Sequence, residues 1–139
     1  VEDVNPVDLS SKVSANIKDM ITTSELDEIT ASICMNLSTT NPKYKKLGSM
    51  ISVSNHQKNC PPTFDDSIDY LYGGIQRENG ERWNLVTEEI YDLAKKYKNE
   101  IHSMIDPDRD FLFDFFGFKT LERAYLLKDK IKDNNANVV

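Results

Sequence analysis

The sequence predicts a mainly α protein, a helical bundle of about six helices with at most one short strand near residues 110–116. Three observations carry this expectation. Apolar residues recur at three- and four-residue spacing along most of the chain. Helix-start chemistry is explicit at Asn5-Pro6, Thr22-x-x-Glu25 and Asn41-Pro42. Stop signals, Gly73-Gly74 and Asp106-Pro107, fall where the apolar periods end.

In chain order, Asn5 is the cap of a first helix with Pro6 at its first position, where the missing N–H costs nothing; Leu9, Val13 and Ile17 share one face. A second helix begins at Thr22 or Thr23 and carries Leu26, Ile29, Ile33 and Leu37 as its stripe. Asn41-Pro42 launches a third, through Tyr44, Leu47 and Ile51 toward Ser54. Short links between three helices of similar length imply a small antiparallel bundle. Pro61-Pro62 breaks the chain, and Phe64, Ile68, Leu71 and Tyr72 mark a fourth helix stopped by Gly73-Gly74. Residues 75–82 read as a polar turn around Asn79-Gly80. The longest helix is expected from Asn84 to Ile105, burying Val86, Ile90, Leu93, Tyr97, Ile101 and Met104. Phe111, Phe113 and Phe115 alternate as in a strand, although so short a run does not settle its type. A last helix is expected over 119–128, followed by a polar tail, 129–139.

The 139 residues suffice for one domain with a real core, and a mean hydropathy of −0.54 fits a soluble helical protein. A net charge of −6, with both signs interspersed, argues against a nucleic-acid or anionic-membrane surface. No apolar run approaches the ~18 residues of a membrane span, and no leader pattern opens the chain, so the cytoplasm is the default compartment. The first residue is Val1 rather than Met, so sequence upstream is expected. Cys34 lies in an apolar helical pattern and reads as a small buried hydrophobe; Cys60 precedes Pro61-Pro62 in a loop. Two cysteines so placed suggest neither a disulfide framework nor a zinc site.

Catalytic patterns are absent: no glycine-rich phosphate loop, no nucleophile elbow, and two isolated histidines, His56 and His102, which read as surface residues. Asp106, Asp108 and Asp110 have an ion-loop spacing but lack its glycine and terminal glutamate, so no metal site is assigned. One group has a logic for ligand binding. Thr23 and Asp27, four residues apart at a helix start, share a face near the positive end of the dipole, where a hydroxyl and a carboxylate can hold sugar hydroxyls. Lys58, at the end of the next helix, can offer a cation to phosphates in an antiparallel arrangement. From spacing alone, ordinary helix capping is the stronger explanation of the Thr23–Asp27 pair.

The stretch "DRDFLFDFFGFKTLERAYLLK" resembles the "RDF…YFGFKTLERSYLLK" segment in the large subunit of eukaryotic-type class I ribonucleotide reductase. "TTSELD" at 22–27, "NPKYKKLGSMISVSN" at 41–55 and "NG" at 79–80 fall where that family has similar segments, and only "DKIKDNNANVV" departs. The resemblance implies that residues 1–60 are a partial ATP-cone lacking its N-terminal hairpin. Residues 61–128 would be the helical region that precedes the catalytic barrel. It implies that Thr23 and Asp27 contact an allosteric nucleotide, ATP or dATP, in the intact protein, with the aspartate sensing the ribose. Lys58 would approach the phosphates, with Asn55 nearby. It implies no cofactor and no catalytic residue in this chain, since the family's reacting cysteines lie in the barrel, and poor nucleotide binding by this segment alone. The partners it implies are the remainder of the large subunit, a small radical-generating subunit and a large-subunit homo-oligomer.

Five of the chain's six phenylalanines, Phe111, Phe113, Phe115, Phe116 and Phe118, crowd together. Each can bury ~150–250 Å², so the group reads as a surface docked on the missing barrel, as the core of this domain, or as both. The alternative function is a stand-alone, non-catalytic helical interaction module derived from the same region.

Overall fold

A computed structural model describes residues 4–76 and 80–126. Its elements are α1 (Pro6–Ser14), α2 (Thr23–Leu37), α3 (Lys43–Asn59), α4 (Phe64–Leu71), β1 (Tyr72–Gln76), β2 (Arg82–Asn84), α5 (Glu88–Lys96), α6 (Lys98–Met104), a 3-10 turn (Pro107–Leu112) and α7 (Phe115–Ala124). The chain is mainly helical, as expected. It divides into two compact units, one running to His56 and taking in Asp108–Ala124, the other containing Gln57–Pro107.

The first unit begins where the local chemistry says it should. Asn5 Oδ1 accepts from the N–H groups of Val7 (3.0 Å) and Asp8 (3.2 Å), capping α1. That helix ends at Ser14, so Ile17 lies beyond it and is exposed, leaving Val13 as its buried anchor. At α2 the capping box is complete: the Glu25 N–H donates to Thr22 Oγ1 (3.2 Å) and the Thr22 N–H to Glu25 Oε2 (2.9 Å). Asn41 Oδ1 accepts from the Lys43 N–H (3.0 Å) at the start of α3.

The seam between α2 and α3 is narrower than an apolar stripe implies. Ala31 and Cys34 are the buried residues of α2, while Leu26, Ile29, Ile33 and Leu37 are half-buried. The buried face of α3 is small and polar: Tyr44, Gly48, Ser49, Ser52, Val53 and Asn55. A Cβ on Gly48 would stand 3.1 Å from the Ala31 carbonyl oxygen and 3.1 Å from Cys34 Cβ. Cys34 is fully buried, as its setting predicts. His56 differs from expectation: it is half-buried, its ring edge-on to Phe118 at 5.4 Å, whereas His102 is exposed.

The second unit corrects several expectations. The segment around 75–82 is part of an antiparallel hairpin: Tyr72 pairs with Asn84, Ile75 with Trp83 and Gln76 with Arg82, with a bulge between Tyr72 and Ile75. Gly73, at φ +92°, makes that bulge, so the glycines that stop α4 also start a strand. Asn79 lies outside the described residues; Gly80 has φ +84°. No strand forms at 110–116, because Asp114 instead starts α7: its Oδ1 accepts from the Gly117 N–H (2.8 Å) and its carbonyl from the Phe118 N–H (2.9 Å). The last helix therefore begins before Lys119. Residues 127–128 and the expected tail lie outside the described residues.

The expected 84–105 helix is two helices. Asn84 belongs to β2, Thr87 caps α5 by accepting from the Ile90 N–H (3.4 Å), and Tyr97, at φ −106° and ψ 19°, interrupts the run before α6. The longest helix is α3, with 17 residues. The face expected to be buried is largely open: Leu93 is 61% and Met104 80% exposed, Ile90 and Tyr97 are exposed too, and Ala94 is the residue α5 buries. Among the described residues of this unit the buried side chains are Ile68, Leu71 and Ala94. Polar ties supplement them: Lys95 Nζ contacts Asp65 (2.6 Å) and Asp69 (2.7 Å), and Tyr91 Oη donates to Asp69 (2.9 Å) while its ring stacks on Tyr72 at 4.2 Å. Among the described residues, no helix is long and apolar enough to cross a membrane.

Two substitutions on the buried face of α3 should act in opposite directions. Gly48→Leu forces a side chain into the α2 seam and is expected to lower stability by about 1–3 kcal/mol, the ordinary range for overpacking. Ser52→Ala removes a buried hydroxyl that has no hydrogen-bond partner and is expected to leave stability unchanged or raise it by up to about 1 kcal/mol. Urea denaturation of both variants checks the pair.

Candidate functional site

The first turns of α2 present Thr23, exposed, and Asp27, half-buried, four residues apart on one face. Glu25 is committed to the cap: the Thr22 backbone N–H and then its hydroxyl hold this carboxylate below its usual range. Opposite this turn, α3 supplies Asn55, which is only 5% exposed. Its Nδ2 donates to the Ser24 carbonyl (3.2 Å) and reaches Glu28 Oε1 (3.5 Å). A buried amide thus ties α3 to residues adjacent to Thr23 and Asp27, so the fold brings three of the four sequence-predicted site residues to one turn. The fourth, Lys58, is exposed and belongs to the second unit.

Sequence reasoning missed the other half of this locus. Lys119, on α7, donates to both oxygens of Glu28 (2.7 and 2.8 Å) and to Glu122 Oε2 (2.9 Å). Burial pulls the Lys119 ammonium toward neutrality, but the hydrogen bonds from Glu28 and Glu122 outweigh it and its pKa is raised. The Lys119–Glu122 spacing of three was a readable local signal. The Glu28 partner, 91 residues away in sequence, was not.

α7 is held in place by several independent contacts. Phe118 is 4% exposed in the core, Ser49 Oγ donates to the Phe113 carbonyl (2.6 Å), and Lys45 approaches Asp114 Oδ2 (3.3 Å). The phenylalanines divide accordingly. Phe118 is core; Phe115 is half-buried, edge-on to Phe116 at 5.6 Å; Phe111, Phe113 and Phe116 face outward, Phe116 at 63% exposure. One ring therefore belongs to the core, three face solvent, and Phe115 lies between the two.

In chemical terms the α2 turn offers a hydroxyl, a carboxylate and a nearby buried amide, a set suited to hydrogen-bonding a polyol. Burial pushes the Cys34 thiol up, away from the reactive thiolate. Among the described residues, no three His, Cys, Asp or Glu side chains are grouped to hold a metal ion. An open polar cleft in the second unit is lined by Asp69, Tyr72, Gly73, Gly74, Arg82 and Tyr91. The charge of Asp69 there is already met by Lys95 and Tyr91, which hold its carboxyl below the usual range.

No protein-family model matches the chain. Curated relatives do. Over 125 residues it is 37% identical to the ribonucleoside-diphosphate reductase large chain of Schizosaccharomyces pombe, an alignment covering 90% of this chain and 15% of that one. It is 36% identical over 125 residues to the ribonucleoside-diphosphate reductase large subunit of Variola virus, with 90% and 16% covered. The Arabidopsis thaliana large subunit is 36% identical over 124 residues, with 89% and 15% covered. The chain thus spans 15–16% of the length of these relatives.

The carboxylates of Glu25 and Asp114 set a pH dependence. The Gly117 N–H and then Lys45 hold Asp114 low, as the Thr22 groups hold Glu25. A depressed folded-state pKa stabilises the fold above the unfolded value and is lost as pH falls through the folded one. Melting temperature should therefore be flat near neutrality and fall below about pH 4. Asp114→Asn should shrink that acid-side drop in a pH series of thermal melts.

Proposed function

We propose that this chain, a homologue of the N-terminal part of the large subunit of ribonucleoside-diphosphate reductase, is the regulatory and supporting segment of such an enzyme. The enzyme's task is to reduce ribonucleoside diphosphates to deoxyribonucleoside diphosphates for DNA synthesis. The observation that carries the reading is similarity at 34–37% identity over nine-tenths of the chain, in organisms as distant as a yeast, a plant and a poxvirus. The segment contributes no reacting group, and alone it is inactive.

Its role is allosteric. A nucleotide effector, ATP or dATP, binds at the start of α2, with Thr23 and Asp27 toward the ribose and Lys58 toward the phosphates. Asn55 holds the turn that presents them. The helix start favours an anion, which supports phosphate nearby. The exposed rings of Phe111, Phe113 and Phe116 support docking against the remainder of the large subunit, since solvent-facing aromatic surface of this kind is an association surface. The wider assembly is a large-subunit homo-oligomer with a small radical-generating subunit, in the cytoplasm.

Asp27→Asn in the complete large subunit tests the effector site. Replacing a charged acceptor with a neutral one removes a charge-assisted hydrogen bond, so the dATP concentration that half-inhibits the enzyme should rise about 10- to 100-fold, with uninhibited turnover unchanged. An unchanged dATP response overturns the assignment.

A further inference from the structure

The start of α2 carries three carboxylates, Glu25, Asp27 and Glu28, at the turn proposed to meet the ribose of a polyanionic nucleotide. Glu25 is absorbed by the cap. Glu28 lies one residue after Asp27 and receives both a buried amide, Asn55, and an ammonium, Lys119. The anchoring of α7 does not require that ammonium. Phe118 in the core, the Asp114 cap and the Ser49–Phe113 bond already fix the helix, and part-exposed ion pairs add little stability. What the pair does accomplish is charge compensation next to the effector carboxylate.

We propose that Lys119 is a positioning residue for the effector nucleotide: it neutralises Glu28, so that Asp27 is the acid the bound nucleotide meets, and it does so from α7, joining the effector turn to the aromatic segment. This rests on the nucleotide reading of Thr23 and Asp27 given above. Without Lys119, the Glu28 carboxylate stands beside the proposed ribose turn with only the Asn55 amide opposing its charge, and it repels the polyanionic nucleotide as a whole. The consequence is electrostatic, so removing the charge of Glu28, the carboxylate next to Asp27, reverses most of it even though Glu122 also loses its partner, and salt attenuates it.

The test is equilibrium binding of dATP to the complete large subunit, measured by calorimetry at low and high salt, for Lys119→Met, Glu28→Gln, the double variant and Asp27→Asn. Lys119→Met is expected to weaken dATP about three- to tenfold at low salt, with the gap narrowing as salt rises. Glu28→Gln alone should stay within about twofold of the parent protein, and the double variant should return to that level. A merely structural role for Lys119 would leave the double variant as weak as Lys119→Met, and that result overturns the proposal, as does Lys119→Met binding normally. If Lys119→Met does not fold, Glu28→Gln still decides. Normal binding supports charge compensation, and a loss beyond threefold shows that Glu28 itself is needed, which overturns it. Asp27→Asn separates the two layers: if it leaves dATP binding intact, the effector reading falls; if it weakens binding while Lys119→Met does not, only the Lys119 proposal falls.

Discussion

Where α3 runs against α2, Gly48 stands so close that a single added carbon would sit 3.1 Å from the Ala31 carbonyl and from Cys34 Cβ. That approach sets the register of the first unit. Gly48, Ser52 and Asn55 fall at i, i+4 and i+7, one face of α3, and Ser24, Glu28 and Ala31 fall on one face of α2 with the same spacing. With Gly48 seated at Ala31, the antiparallel run of the two helices carries Asn55 to Ser24 and Glu28. A bulkier residue at 48 would push the axes apart and withdraw the Asn55 amide from the α2 turn. The small, polar character of the α3 face is therefore a condition for the candidate site, even though it weakens α3 as an apolar helix.

The same geometry explains why the family-like FGFKTLER segment sits where it does. Its residues alternate between structure and electrostatics along α7: Phe118 enters the core, Lys119 turns to Glu28, and Glu122 returns a second carboxylate to Lys119. Asp114 begins the helix through the Gly117 N–H. Gly117 itself is close-packed: a Cβ there would lie 3.0 Å from Asp114 Oδ1, the acceptor of its own amide. The motif is thus a self-capping helix start followed by one core ring and one cation that meets Glu28 on α2.

What the sequence made legible was chemistry that closes within one helical turn. The Asn5 cap, the Thr22–Glu25 box and the buried setting of Cys34 all depend on neighbours within a few residues or on a local apolar pattern. What it concealed depended on distant partners or on competition between signals. Gly73-Gly74 ends a helix, but the positive φ of Gly73 also allows the bulge that begins β1. The Phe111–Phe115 alternation lost to the Asp114 cap. Of the site, Thr23 and Asp27 could be paired by spacing, Lys58 was suggested by its place at the end of the next helix, and Asn55 followed from the resemblance. Glu28 had no local mark, because its partner is on another helix far along the chain.

The α5–α6 face presents a different kind of discrepancy. Ile90, Leu93, Tyr97 and Met104 recur at helical spacing, and such a pattern reports the environment in which a helix is stable, whether or not that environment lies within the same compact unit. Here the unit keeps Ala94 inside and leaves those four outside, while Lys95 on the adjoining face is held by Asp65 and Asp69. The face of α5 turned toward α4 therefore carries the buried Ala94 together with the ion pairs of Lys95. The pKa of Lys95 is raised by Asp65 and then Asp69, which also have Lys98 and Tyr91 as further partners. The apolar stripe is consequently presented outward by the packing of Ala94 and the contacts beside it, much as the Asp114 cap and the buried Phe118 present Phe116 outward in the first unit. In both units, a buried side chain and the polar contacts beside it fix which apolar residues are left for a neighbour to cover.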